Sequence, residues 1–123
     1  MTKKVLLIED EPSIIQAISF ILSRDGWTVD SHADGATAIE AVARKRPDVV
    51  VLDLMLPNRS GLDILTDLRA NAETEALPVL MLTARGQKRD REMAERLGAT
   101  LFMTKPFSNA EVLASVNALA GAA

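Results

Sequence analysis

The chain is 123 residues long, 48% apolar and 25% charged, with a formal charge of −3. Such proportions fit one globular domain that buries roughly two-thirds of the surface its unfolded chain exposes, and they exclude disorder, fibres and repeat arrays. A pI near 5.1 with 3% aromatic residues offers no basic or stacking surface for nucleic acid, and the absence of cysteine closes disulfide and thiolate chemistry.

Lys3 and Lys4 lead straight into a short apolar run, so neither a signal peptide nor a membrane span is predicted and a cytoplasmic location is the default expectation. VLLI at 5–8 predicts the first strand. Pro12 opens a helix whose apolar positions Ile14, Ile15, Ile18, Ile21 and Leu22 share one face, and Gly26 stops it. Residues 27–33 form a weaker strand, after which Asp34 caps a helix that buries Ala38, Ile39 and Val42 before Pro47. DVVVLD at 48–53 is apolar on both faces, as a central parallel strand must be, and Ser60 with Asp63 resembles a capping box ahead of Ile64, Leu65 and Leu68. Residues 78–82 supply a fourth strand, and a polar helix follows at 87–97. ATLFM at 99–103 is the fifth strand, and Ser108 with Glu111 caps the last helix. Five βα units without a linker predict a single α/β domain over 1–123 with a parallel sheet.

Chemistry gathers at the strand ends. Glu9 and Asp10 follow the first strand, Asp53 ends the third, and Lys105 stands beside Pro106 after the fifth. Carboxyl ends of parallel strands project side chains into the crevice where open α/β sheets bind ligands. Two like charges about 4 Å apart repel by ~4 kcal/mol at an effective dielectric near 20. Three carboxylates in one crevice therefore call for a divalent cation. Hard oxygen ligands point to Mg²⁺, and zinc lacks its usual partners. The constellation reads as a magnesium-dependent phosphoryl acceptor. Each member also has a plainer reading. Residues 9–11 can place charge on a helix amino end, Asp53 can cap a turn, Thr83 can cap a helix, and Lys105 can be a solvated lysine.

Glu9-Asp10, DLMLPNRSG at 53–61, Leu82-Thr83-Ala84 and Thr104-Lys105-Pro106-Phe107 occur in that order across essentially the whole chain. On these segments the sequence resembles the receiver domain of two-component response regulators. The resemblance implies a flavodoxin-like, doubly wound sheet of five parallel strands ordered 2-1-3-4-5, with five helices. It implies that Glu9, Asp10, Asp53 and the Met55 backbone carbonyl hold Mg²⁺. Asp53 would then be the phosphoacceptor, served by a histidine kinase or a histidine phosphotransfer protein. Lys105 and the Thr83 hydroxyl would neutralise the phosphoryl oxygens. A cis peptide before Pro106 is implied too. Phe102 would be the switch residue, following Thr83 inward and reshaping the face of the fourth helix, fifth strand and fifth helix for a downstream protein. The plainer reading of Phe102 is permanent packing.

Departures from the family pattern also carry information. Thr100 and Leu101 stand where receivers attached to winged-helix domains carry paired acids, and Ser115 stands where they carry arginine, although Asp90 and Arg91 match. The dimer those acids support is not expected. Met55 and Arg85 offer no carboxylate or amide to orient an attacking water, so slow hydrolysis is expected. Met81, Met93, Met103 and Trp27 read as packing residues, and His32 as ordinary surface. The expected role is a stand-alone receiver, because the tail ALAGAA carries no output domain. A receiver segment of a longer regulator, a small magnesium-dependent phosphatase with an aspartyl nucleophile, and a flavin-binding or phosphate-independent module are the alternatives.

Overall fold

A computed structural model describes residues 3–83 and 88–122. Ala84 and Arg85, both part of the sequence argument, lie outside them. Strands β1 (Lys4–Ile8), β2 (Thr28–His32), β3 (Val49–Asp53), β4 (Val79–Thr83) and β5 (Leu101–Thr104) form one parallel sheet in the order β2-β1-β3-β4-β5. Helices α1 (Pro12–Arg24), α2 (Ala38–Lys45), α3 (Gly61–Ala70), α4 (Lys88–Leu97) and α5 (Asn109–Ala122) supply the connections and the last element. This is the flavodoxin-like order implied by the resemblance.

Side-chain alternation along the strands builds two cores. Leu6, Ile8, Val50, Leu52 and Met81 face α2, α3 and α4, whereas Val5, Leu7, Val51, Leu80 and Leu82 face α1 and α5. Every residue of β3 is buried, since the strand is covered on both faces and paired on both edges. Trp27 is buried in the second core, and its indole N–H donates to Asn117 Oδ1 at 3.1 Å, tying the turn after α1 to α5. Its packing role is therefore as expected. No helix among the described residues is long and apolar enough to cross a membrane.

Caps explain where the helices start. Ser108 and Glu111 close a full box, with Glu111 N–H donating to Ser108 Oγ at 3.1 Å and Ser108 N–H donating to Glu111 Oε1 at 3.2 Å. At α3 the Ser60 hydroxyl instead accepts from Leu62 N–H at 3.1 Å, one residue earlier than a capping box requires. Asp34 also departs from expectation. It caps a 3-10 turn over Gly35–Thr37 by accepting from Ala36 N–H, and α2 begins only at Ala38. In α1, Ile18 and Leu22 are buried while Ile14, Ile15 and Ile21 are half-buried at the rim. β5 is shorter than predicted because Thr100 turns its hydroxyl to Val79 N–H (3.0 Å). His32 is not plain surface, being half-buried and sharing a 2.7 Å hydrogen bond with Thr37 Oγ1.

Candidate functional site

β1 and β3 are hydrogen-bonded neighbours, with Ile8 opposite Leu52, so the next residues along both strands emerge at one end of the sheet. That register brings Glu9 and Asp53 together across 44 residues of sequence. One carboxylate oxygen from each of Glu9, Asp10 and Asp53 lies within 4.8 Å of the others. Glu9 is 0% and Asp53 3% exposed, while Asp10 sits at the open rim. Backbone amides hold the two buried carboxylates. Glu9 Oε1 accepts from Asp10 N–H and Glu11 N–H, both at 3.1 Å, and Asp53 Oδ1 accepts from Met55 N–H at 3.2 Å.

Lys105 reaches this cluster from the loop after β5. Its Nζ lies 3.4 Å from both Glu9 Oε2 and Asp53 Oδ2, and the Lys105–Pro106 peptide is cis. Glu9 Oε2 is buried without a hydrogen-bond partner, for Lys105 lies within ion-pair range but not in hydrogen-bond alignment. An unsatisfied buried oxygen costs about 1–3 kcal/mol, more when charged. This donor set suits an oxygen-seeking cation. The carboxylates supply hard ligands, and the open rim at Asp10 leaves room for further oxygen ligands, so the site fits a hard divalent ion.

The loop between β3 and α3 is built around a close approach. A Cβ on Gly61 would collide with the Asp53 carbonyl oxygen and lie 2.8 Å from Leu54 Cα, so no larger residue fits without moving the loop. Met55 projects outward, 69% exposed. Thr83 ends β4 at the same end of the sheet and is 2% exposed, but its hydroxyl points to the Met103 carbonyl at 3.5 Å rather than to a carboxylate. Residues 9, 10, 53 and 105 are therefore gathered, and Thr83 joins them through its backbone, its carbonyl accepting from Lys105 N–H at 2.8 Å, while its hydroxyl is turned to Met103.

Residues 5–117 match the family described as the response regulator receiver domain. The chain belongs to that family. Among curated relatives, "Probable transcriptional regulatory protein TcrX" of Mycobacterium tuberculosis is 46% identical over 115 residues, covering 94% of this chain and 48% of that protein. The alkaline phosphatase synthesis transcriptional regulatory protein PhoP of Bacillus subtilis is 40% identical over 119 residues, 97% of this chain and 49% of its own. This receiver thus spans about half the length of the curated relatives it matches. Among solved structures, the receiver domain of sensor histidine kinase PA1611 from Pseudomonas aeruginosa PAO1 superimposes with a TM-score of 0.89 at 30% identity, covering 98% and 99% of the two chains. That structure has a magnesium ion coordinated in its active site cleft.

Electrostatics in this receiver follow from its crowding. Burial, with Asp53 alongside, raises the Glu9 carboxyl from 4.5 to about 7, against the opposing pull of the Glu11 amide and Lys105. For Lys105, burial alone would lower the ammonium, but the Asp53 and Glu9 charges outweigh it and raise it, so the side chain stays cationic. Between those two Glu9 values the folded chain holds a proton that the unfolded chain has released, so stability falls as pH climbs from 4.5 to about 7. In EDTA, the melting temperature of the wild type is expected to drop between about pH 5 and pH 7, and Glu9→Gln, a neutral isostere, should flatten that slope. Equal slopes in calorimetric scans of the two proteins would refute the assignment.

Phe102 lies on the α4 side of the sheet, half-buried, with the Arg91 guanidinium stacked 3.9 Å from its ring centre. Met81 and Phe102 are paired across β4 and β5, and Thr83 is two residues beyond Met81 on the same face. Leu101 beside it is 39% exposed. Thr100, in place of an acid, accepts from Val79 N–H and lies 3.4 Å from the Arg69 guanidinium. Sequence reasoning missed Arg69, which also donates to the Gly98 and Thr74 carbonyls and clips α3 to the end of α4. An arginine in a last helical turn carries no signal that would have marked it.

Proposed function

We propose that residues 1–123 act as one receiver domain that accepts a phosphoryl group on Asp53 from a phosphohistidine on a histidine kinase or histidine phosphotransfer protein. A new Oδ–P bond forms as the N–P bond of the donor breaks, and the departing imidazole takes a proton from water. The observation that carries this reading is the buried Glu9 Oε2, without a hydrogen-bond partner and in ion-pair range of Lys105, beside Asp53. Glu9, Asp10, Asp53 and the Met55 carbonyl would hold Mg²⁺, which supplies positive charge for the equatorial oxygens of the transferred group. Lys105, already charged and beside the acceptor, exchanges its carboxylate partners for phosphoryl oxygens. Thr83 leaves the Met103 carbonyl to donate to the same group, and the vacated space admits Phe102 once its stacking on Arg91 is released.

The output is a changed contact surface on α4, β5 and α5 for a downstream protein, not DNA. An acidic chain with few aromatics gives this segment little to hold nucleic acid with. The cytoplasm is the compartment proposed for it. The domain is a stoichiometric acceptor and not a turnover enzyme. Acetyl phosphate with Mg²⁺ is expected to add one phosphoryl group per chain by intact mass, and EDTA to prevent it. Continuous release of phosphate from esters, without an accumulating adduct, would overturn the reading in favour of a phosphatase.

A further inference from the structure

The connection from β2 to α2 touches both acidic loops at once. At its start, the His32 carbonyl accepts from Glu9 N–H at 3.0 Å. Two residues on, Asp34 Oδ1 accepts from Asn58 Nδ2 and from Ala36 N–H, both at 2.9 Å. Gly35 N–H then donates to the Pro57 carbonyl at 3.2 Å. A Cβ on Gly35 would lie 2.5 Å from the Arg59 carbonyl oxygen and 2.9 Å from that of Pro57, so the two backbones meet with no space between them. Asn58 has φ +67°, a left-handed conformation that asparagine tolerates and that its bond to Asp34 fixes. Donation from Asn58, then from Ala36, holds the Asp34 carboxyl below its ordinary range.

We propose that Asp34, acting through Asn58 and Gly35, is a positioning residue for phosphoryl transfer: the 32–37 connection is a strut that sets the loop after Asp53 at a fixed distance from the loop after β1. Asp34 touches neither the acceptor nor its carboxylate partners. Its effect reaches them through the backbone of 54–58, whose Met55 amide holds Asp53 Oδ1. Residues that orient ligands without touching the metal commonly change its affinity by an order of magnitude or more. The inference rests on the phosphoacceptor reading above.

Calorimetric Mg²⁺ titration of wild type, Asp34→Ala, Asn58→Ala and the double variant tests it. Each single variant is expected to weaken Mg²⁺ binding about tenfold, and the double variant no further, because both remove one shared bond. Phosphorylation by acetyl phosphate should recover at saturating Mg²⁺. Asp34→Asn keeps an acceptor oxygen while losing the charge, and should bind Mg²⁺ as the wild type does. An Asp34→Ala affinity equal to wild type overturns the strut, and so does an Asp34→Asn defect as large as that of Asp34→Ala. Amide hydrogen exchange over 54–60 in metal-free protein gives a readout independent of phosphoryl chemistry. Faster exchange in Asp34→Ala but not Asp34→Asn supports the strut even if the wild type fails to bind Mg²⁺, a result that would sink only the phosphoacceptor reading. Unchanged exchange refutes the strut.

Discussion

Asp53→Asn is expected to abolish phosphoryl uptake from acetyl phosphate and, in metal-free buffer, to raise the melting temperature. Both effects trace to one carboxylate oxygen. The amide keeps the shape of the side chain and can still accept from Met55 N–H, but it has no anionic oxygen to attack phosphorus. The stability gain comes from charge. Asp53 is 3% exposed beside a fully buried Glu9, and neutralising it removes a like-charge repulsion that reaches ~4 kcal/mol at about 4 Å and an effective dielectric near 20. Lys105 loses one of two partners, yet its side chain is 26% exposed and water offsets much of that loss. The relief of repulsion therefore wins, and a rise of several degrees is expected for a domain of this size. Mg²⁺ should then add less to the melting temperature than it does for the wild type, because one ligand is gone. Intact mass and calorimetric scans with EDTA or Mg²⁺ measure all three effects. A phosphorylated variant, or one that melts lower than wild type without metal, would contradict the geometry proposed for Asp53.

Most of the architecture is written in local periodicity. β1, β3 and β4 are short apolar runs, and the both-face burial of β3 follows directly from the unbroken VVVL of 49–52. The strand order is different in kind. Nothing in the period of a strand says which neighbour it takes, and the order 2-1-3-4-5 came from the resemblance carried by the Glu9-Asp10, Asp53–Gly61 and Lys105-Pro106 segments. The same segments made the acidic cluster legible, since each residue stands directly after a recognisable strand. What could not be read was pairing between loops. Asp34 and Asn58 each look like a local turn residue, and a separation of 24 positions hides their hydrogen bond. Asp34 reads as the cap of α2, but its carboxylate accepts from Ala36 N–H and caps a 3-10 turn over Gly35–Thr37, and the helix starts only at Ala38. β5 illustrates a second limit. Thr100 reads as a strand residue by β-propensity, whereas its hydroxyl is taken by Val79 N–H and Arg69, a tertiary demand that overrides propensity.

Lys105→Ala is expected to leave Mg²⁺ affinity intact or tighten it, while slowing phosphorylation about 10²–10³-fold, the usual loss when one preorganised charge-stabilising donor is removed. The two effects part because the lysine has different partners before and during transfer. Before transfer, Nζ sits 3.4 Å from Glu9 Oε2 and Asp53 Oδ2, both proposed to face the cation. It therefore competes with the metal, and its removal leaves a more negative crevice that attracts Mg²⁺ more strongly. Without metal the variant should be less stable than wild type, since Glu9 and Asp53 lose their nearest counter-charge while staying buried. The rise in melting temperature on adding Mg²⁺ should consequently be larger than in wild type. During transfer, negative charge gathers on the phosphoryl oxygens, and only then does the missing ammonium raise the barrier. Initial rates with acetyl phosphate at saturating Mg²⁺, set against calorimetric Mg²⁺ titration, separate the two stages. A solvated lysine would leave both unchanged, whereas parallel loss of metal binding and rate would mean that Lys105 holds the carboxylates in place instead of serving the transferred group.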